Sequence, residues 1–388
     1  MTTGRITKRE FRLADGRELI YFDDADTRLS PERKPDLREL DPRPDTATMR
    51  QDPLTGEWIS IAATRQNRAF LPPADLDPLA PATPTNPSEI PDNYDVAVFE
   101  NRSPSFGPAL GDAGDPSPTG IGLERTAEAQ GRCEVVCFSP EHEGSYSGLS
   151  VSRSRTVIEA WADRTACLSA LPKIQQVFPF ENRGQEIGVT LPHPHGQIYA
   201  YPYVTPRTTT VLHAIDTYGP TLFHDILTKE RSSERVILAG EHWSAFVPFA
   251  ARWPLEVHML PHRHVPDLAA TTSDERDELA VLYLTLLRGI DELYDTPTPY
   301  IAAWHQAPVH TRRDEVRLML QVTSPRRAAD RLKYLAGSEA AMGAWIGDIV
   351  PEAAAGSLRA ALARSAAKQS TAAAPAPRIT PTSPIGPA

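Results

Sequence analysis

LPHPHGQIYA, residues 191–200, is the stretch on which the reading of this chain turns. It places His193, His195 and Gln197 at two-residue intervals and runs on as IYAYPYV. Side chains on an extended strand alternate between faces, so this spacing predicts the three polar groups on one face, with Ile198 and Ala200 on the other. Two imidazoles and a carboxamide would then converge on one small volume. A neutral imidazole on a rigid strand can attack phosphorus without first losing a proton from the attacking nitrogen. Gly196 is expected to let a phosphate approach the backbone closely. Gln197 can donate to phosphoryl oxygens but has no proton to transfer, which suits a leaving group that departs unaided. A sugar phosphate, with a second pKa of roughly 6, is such a group. The competing reading of His-x-His is a metal site or a structurally satisfied pair. Both hold if His193 stands outside the reaction and His195 within it.

Outward from this stretch, strand patterns KIQQVFPFEN and GQIYAYPYV follow a helix predicted from about Ser152 to Leu171. The preceding segments NYDVAVFEN and RCEVVCFSP also read as strands. The order strand, helix, strand, strand recurs: EVHMLPHRHV, an amphipathic helix capped at Thr272 or Ser273, then PYIAAWHQAP and VRLMLQVTSP. This is an internal duplication, coherent in order and weak in identity. It overlays His193, His195 and Gln197 on Arg317, Met319 and Gln321. Only the first copy carries the histidines.

The remaining segments sort by composition. RLADGRELIYFDD reads as a hairpin around Asp15-Gly16 in an N-terminal appendage, residues 1–45. GEWISIAATRQNRAF is a strand entering an Arg-containing loop. LPPADLDPLAPATPTNPSEIP is too rich in proline for regular structure. The expected units are a first half over 46–205, a second, degenerate half over 206–350, a C-terminal helix over 351–366 and a flexible Pro/Ala-rich tail over 367–388.

The 388 residues carry a formal net charge of -10, which disfavours nucleic acid or an anionic membrane as partner. The three cysteines, Cys133, Cys137 and Cys167, have no Cys-x-x-Cys spacing, so neither a disulfide framework nor a thiolate zinc clip is supported. The start lacks an apolar secretory core and no run suffices for a spanning helix, so a cytoplasmic location is expected.

FENRGQEIGVTLPHPHGQIYAYP, with DPLTGEWISIAATRQNRAF and WHQAP, resembles the galactose-1-phosphate uridylyltransferases, a branch of the histidine-triad superfamily. The resemblance runs from about Leu13 to Ile349. It implies an α+β class and a duplicated histidine-triad-like fold, with two half-barrel antiparallel sheets and outer helices forming one pseudo-symmetric unit. It implies a ping-pong transfer: a histidine takes UMP from UDP-glucose, releases glucose-1-phosphate, and passes UMP to galactose-1-phosphate. By motif position His195 is the nucleophile and Gln197 binds phosphoryl oxygens. Arg65 and Arg68 hold the diphosphate, Asn101 belongs to the uridine site, and Asn182, Gly188 and Thr190 line the phosphate pocket. Lys333 and Glu339 match residues that reach the hexose of a second subunit, implying a homodimer.

The departures from the family pattern also inform. Asp77 and Ala80 stand where many members have two zinc-binding cysteines, so Asp77, His142 and His193 give an incomplete zinc set. At the family's second metal site, where iron is the expected ion, only His305 remains, beside Met319 and Gln321, so that site is expected to be lost. No cofactor is needed for the chemistry. Ser338 and Trp345 alter the sugar-facing segment. Two alternatives therefore stay open: a related nucleotidylyltransferase or phosphorylase acting on another sugar phosphate, and an inactive nucleotide-sugar-binding paralogue.

Overall fold

The computed structural model describes residues 5–63, 71–108, 119–120 and 122–373. Eleven strands form one antiparallel sheet: β1 (Thr7–Arg12), β2 (Glu18–Asp23), β3 (Val96–Glu100), β4 (Arg132–Cys137), β5 (Gln176–Arg183), β6 (His195–Tyr201), β7 (Val236–Ala239), β8 (Trp243–Phe246), β9 (Leu255–Pro261), β10 (Tyr300–His305) and β11 (Met319–Ser324). Their spatial order is β1-β2-β3-β4-β6-β5-β10-β11-β9-β8-β7. Read outward from the β5–β10 junction, each half repeats the same sequence of strands. The predicted duplication is therefore present, and antiparallel pairing of Glu181 with Ala302 fuses the two half-sheets into one.

Strand register fixes the overlay. Gln197 lies opposite Val135 and Phe180, and Gln321 lies opposite His258 and Ala303. Gln197 and Gln321 are thus equivalent, as the sequence overlay placed them.

Helices α1 (Val151–Ser169) and α4 (Ser273–Asp291) pack together across one sheet face. Ser150 caps α1 by accepting from Arg153 N, and Thr272 caps α4 in a reciprocal box with Glu275. Beneath them an aromatic cluster joins the halves: Trp161 stands 6.0 Å from Trp304, and Tyr146 4.6 Å from Tyr283. Gly196, Ile198 and Ala200 face this core, while His195, Gln197 and Tyr199 face the other side. Helices α2 (Pro206–Tyr218) and α3 (Leu222–Arg231) follow the first half. Among the described residues no helix is long and apolar enough to cross a membrane.

Two expectations are corrected. The hairpin around Gly16 is no appendage: β2 pairs with β3, and Leu19, Ile20, Tyr21 and Phe22 are buried, so the run LIYF extends the main sheet. The C-terminal helix α5 runs Pro351–Ala373, past its expected end and into the predicted tail, because the alanine-rich segment has high helix propensity and no breaker before Pro375.

Candidate active site

Strand β6 begins at His195, and that start separates the two histidines of the motif. Pro194 has no N–H for the ladder, and regular pairing with β4 starts at Cys137 opposite His195. His193 therefore sits in the preceding loop, buried, instead of sharing the outer strand face as its spacing predicted.

Inside, His193 Nδ1 donates to Asp77 Oδ2 at 2.7 Å, and Nε2 lies 2.8 Å from the Ser139 carbonyl and 3.0 Å from the Tyr94 hydroxyl. Both ring nitrogens are therefore engaged by oxygen atoms inside the protein. His142 Nδ1 reaches the same Asp77 oxygen at 2.8 Å. The two imidazoles hold the Asp77 carboxyl near pKa 2, although burial opposes them. The Pro-rich loop is anchored here, with Leu79 N donating to Asp77 Oδ1 at 2.9 Å.

Asp77, His142 and His193 make up a candidate metal-binding group, their ligand atoms lying within 4.8 Å of one another. One oxygen and two nitrogens suit zinc chemically. As placed, the two histidine nitrogens sit 2.7 and 2.8 Å from the same Asp77 oxygen, whereas donors bound tetrahedrally at roughly 2.0–2.1 Å from zinc stand about 3.3 Å from one another. Zinc would have to spread the trio, and Ala80 offers no fourth donor.

The backbone of this buried clasp orients the outer histidine. His195 Nδ1 donates to the His193 carbonyl at 2.7 Å, which fixes the tautomer and leaves the Nε2 lone pair bare. Burial lowers the His195 pKa and keeps the ring neutral. His195 lines two adjoining cavities. One, of about 760 Å³, includes Asn182, Glu186, Val189 and Arg326; the other, of about 500 Å³, includes Asn101, Thr190 and Gln197. The structure thus brings Asn101, Asn182, Thr190 and Gln197 around His195. The Asn182 and Gln197 amides make no hydrogen bond to described residues, so both remain available to a ligand. Gly188 ends the turn Gln185–Ile187 in the left-handed region, at φ 83°.

Gly196 has a different role from the expected one. It faces the core, and a Cβ there would stand 2.8 Å from Phe138 Cζ and 2.9 Å from the Phe180 carbonyl. Close packing inside, not phosphate approach outside, demands glycine.

Arg65 and Arg68 lie outside the described residues. Lys333 and Glu339 pair with each other at 3.4 Å within the chain, and Lys333 also caps the carbonyls of Arg252 and Ile346. Arg326 was missed from sequence: it is buried beside the larger cavity and bonded to Glu186 at 2.8 Å, in an arginine-rich run that carries no spacing signal. Among the residues that match the family's second metal site, His305 Nε2 donates to Gln321 Oε1 at 3.0 Å.

Residues 38–205 match the family model described as "Galactose-1-phosphate uridyl transferase, N-terminal domain", and residues 207–371 match its C-terminal counterpart. The chain belongs to the galactose-1-phosphate uridylyltransferase family. The curated enzyme of that name from Streptomyces lividans is 45% identical over 336 residues, covering 82% of this chain and 88% of its own. The Thermotoga maritima enzyme is 34% identical, covering 80% and 97%. A solved uridylyltransferase structure superposes with a TM-score of 0.72 at 31% identity, covering 82% of this chain and 99% of that one.

Proposed function

We propose that the chain transfers UMP between hexose 1-phosphates, from UDP-glucose to galactose-1-phosphate, through His195. The observation that carries this reading is the bare Nε2 of His195, held by the Nδ1–His193 carbonyl bond at the meeting of two cavities. Nε2 attacks the α-phosphorus, an N–P bond forms, and the bond to the bridging oxygen breaks, so the electron pair leaves on glucose-1-phosphate. A phosphate oxygen of galactose-1-phosphate then attacks the same phosphorus, and the N–P bond breaks to restore neutral His195. Gln197 and Asn182 donate to the phosphoryl oxygens as charge shifts there, and Arg65 and Arg68 bind the diphosphate. Thr190, Gly188 and Asn101 complete the nucleotide side. No step requires a metal. If zinc binds Asp77, His142 and His193, it supplies structural fixation of the loop carrying His193.

We also infer a homodimer through the segment that carries Lys333 and Glu339, which would have to release their mutual ion pair to reach the partner's hexose. Their segment exposes Tyr334, Leu335, Met342 and Ile346, an apolar surface suited to a second copy. The test of the chemistry is incubation with UDP-glucose alone. Stoichiometric glucose-1-phosphate and an acid-labile UMP adduct are expected, both absent in His195→Ala; wild-type protein yielding neither would refute the reading.

A further inference from the structure

The smaller cavity beside His195 runs away from the nucleophile along one row of the sheet. Phe99 lies opposite Val135 and Val135 opposite Gln197, and all three line this cavity. Two strand spacings put Phe99 about 10 Å from Gln197. A nucleotide held by its phosphates at His195 and Gln197 therefore lays its nucleoside over Val135 and Phe99, toward Asn101.

At that end the cavity is lined by Glu89, from the Pro-rich loop. Arg17, fully buried just before β2, fixes its place: Nη1 donates to the Glu100 carbonyl at 3.0 Å, Nη2 to Glu89 Oε2 at 2.5 Å and Nε to Asp15 at 2.7 Å. The Glu89 carboxylate is thus tied to the backbone next to Asn101. Arg38 Nη2 reaches the same Oε2 at 3.4 Å. Two arginines therefore occupy Oε2, whereas Oε1 has no hydrogen-bond partner among the described residues and is not closed off by them. A carboxylate oxygen fixed in this way accepts from whatever donor a ligand brings. Arg17 and Arg38 belong to the N-terminal segment, which thereby builds a wall of the catalytic site.

Uridine offers two kinds of donor. The uracil N3–H stands between two carbonyl oxygens that repel a carboxylate, while the ribose diol presents two hydroxyls without such neighbours. An acidic side chain reads ribose in the same way in dinucleotide-binding folds. We propose that Glu89 is a specificity-determining residue of the site, its Oε1 accepting from the 2′- or 3′-hydroxyl of the nucleotide's ribose while Arg17 and Arg38 hold Oε2. This role rests on the uridylyl-transfer reading and adds to it the residue that tells a ribonucleotide from a deoxy analogue.

The test is calorimetric titration of the full chain with UDP, 2′-deoxy-UDP and 3′-deoxy-UDP. Wild type should prefer UDP to at least one deoxy analogue by about tenfold or more, the worth of a charge-assisted hydrogen bond. In Glu89→Ala that preference should fall to near unity, because UDP binding weakens while binding of the disfavoured analogue holds. Damage to the fold alone would weaken UDP and its analogues together and leave their ratio intact. Cooperative thermal unfolding identifies folded protein; Glu89→Ala should qualify, since Arg17 keeps Asp15 and the Glu100 carbonyl and Arg38 keeps Asp36. The isosteric Glu89→Gln is a second variant and should also reduce the ratio, its neutral oxygen being the weaker acceptor. A wild type that binds UDP without preference over either analogue, or a folded variant that retains the full preference, would overturn the proposal and leave the transfer chemistry standing. A wild type that binds no UDP would overturn both.

Discussion

Asp77→Ala should destabilise the fold and slow uridylylation together, because one carboxylate secures both the Pro-rich loop and the residue that orients His195. The substitution removes acceptors at 2.7 Å and 2.8 Å from two imidazoles, and His193 at 1% exposure cannot turn to water. Leaving a buried hydrogen-bonding group without its partner costs about 1–3 kcal/mol, and we expect about 3 from His193, since His142 is partly exposed and recovers solvent. Urea denaturation should report this as a lower midpoint at unchanged m. Loss of the anchor also loosens the His193 carbonyl that accepts from His195 Nδ1 at 2.7 Å. A tautomer no longer fixed should reduce the single-turnover rate about tenfold, or about 1.4 kcal/mol, with UDP-glucose binding little changed. A parallel arm treats wild-type protein with a chelator. Since the trio already satisfies itself by hydrogen bonds, stability and rate should hold. An Asp77→Ala protein with wild-type midpoint and rate would refute the clasp; a chelated wild type that fell as far as the variant would transfer the stabilisation to a metal.

Glu181 gives a pH signature of stability. Burial raises its pKa from 4.5 to about 7 against the opposing pull of the Tyr300 and Tyr283 hydroxyls and Arg183, so the folded chain holds a proton that the unfolded chain releases. Its contribution is complete below about 4.5 and lost as pH rises through about 7, amounting to about 3 kcal/mol at 1.36 per unit. Urea midpoints between pH 5 and 8 should fall less steeply in Glu181→Gln than in wild type, and parallel slopes would refute the assignment. Gly196→Ala should lower stability by about 1–3 kcal/mol through overpacking against Phe138 and the Phe180 carbonyl, measured by the same denaturation; a neutral result would mean that β6 shifts without strain.

The outer face of β6 was legible because its strand has one buried side: Gly196, Ile198 and Ala200 alternate with His195 and Gln197, a period-two pattern visible in ten residues. The same spacing misled one step earlier. His193 continues the interval in sequence, but backbone pairing, which spacing cannot encode, stops at Pro194. The N-terminal hairpin was recognised from Asp15-Gly16 and misplaced, although LIYF already carried more apolar side chains than a free hairpin could bury. Gly196 was given the right residue type and the wrong reason, since Phe138 and Phe180 reach it from other strands. The pairing of Arg326 with Glu186 is likewise non-local, joining residues 140 positions apart.

The two halves show how a duplicated sheet divides its tasks. Both halves need an apolar inner face, and both have one: Val257, Met259, Leu320 and Val322 are buried in the second as Val136, Ile198 and Ala200 are in the first. That constraint acts on every second residue and preserves the fold. The outer face is free of it. In the first half that face carries His195, oriented through the carboxylate clasp, and Gln197; in the second it carries Met319 and Gln321, with the glutamine spent on His305 and Glu256. A glutamine engaged in that way cannot serve a phosphoryl group, and a methionine cannot attack phosphorus through a neutral lone pair as imidazole does. The difference in chemistry between the halves therefore lies in outward-facing residues and the loops before them, while the strand order remains common to both.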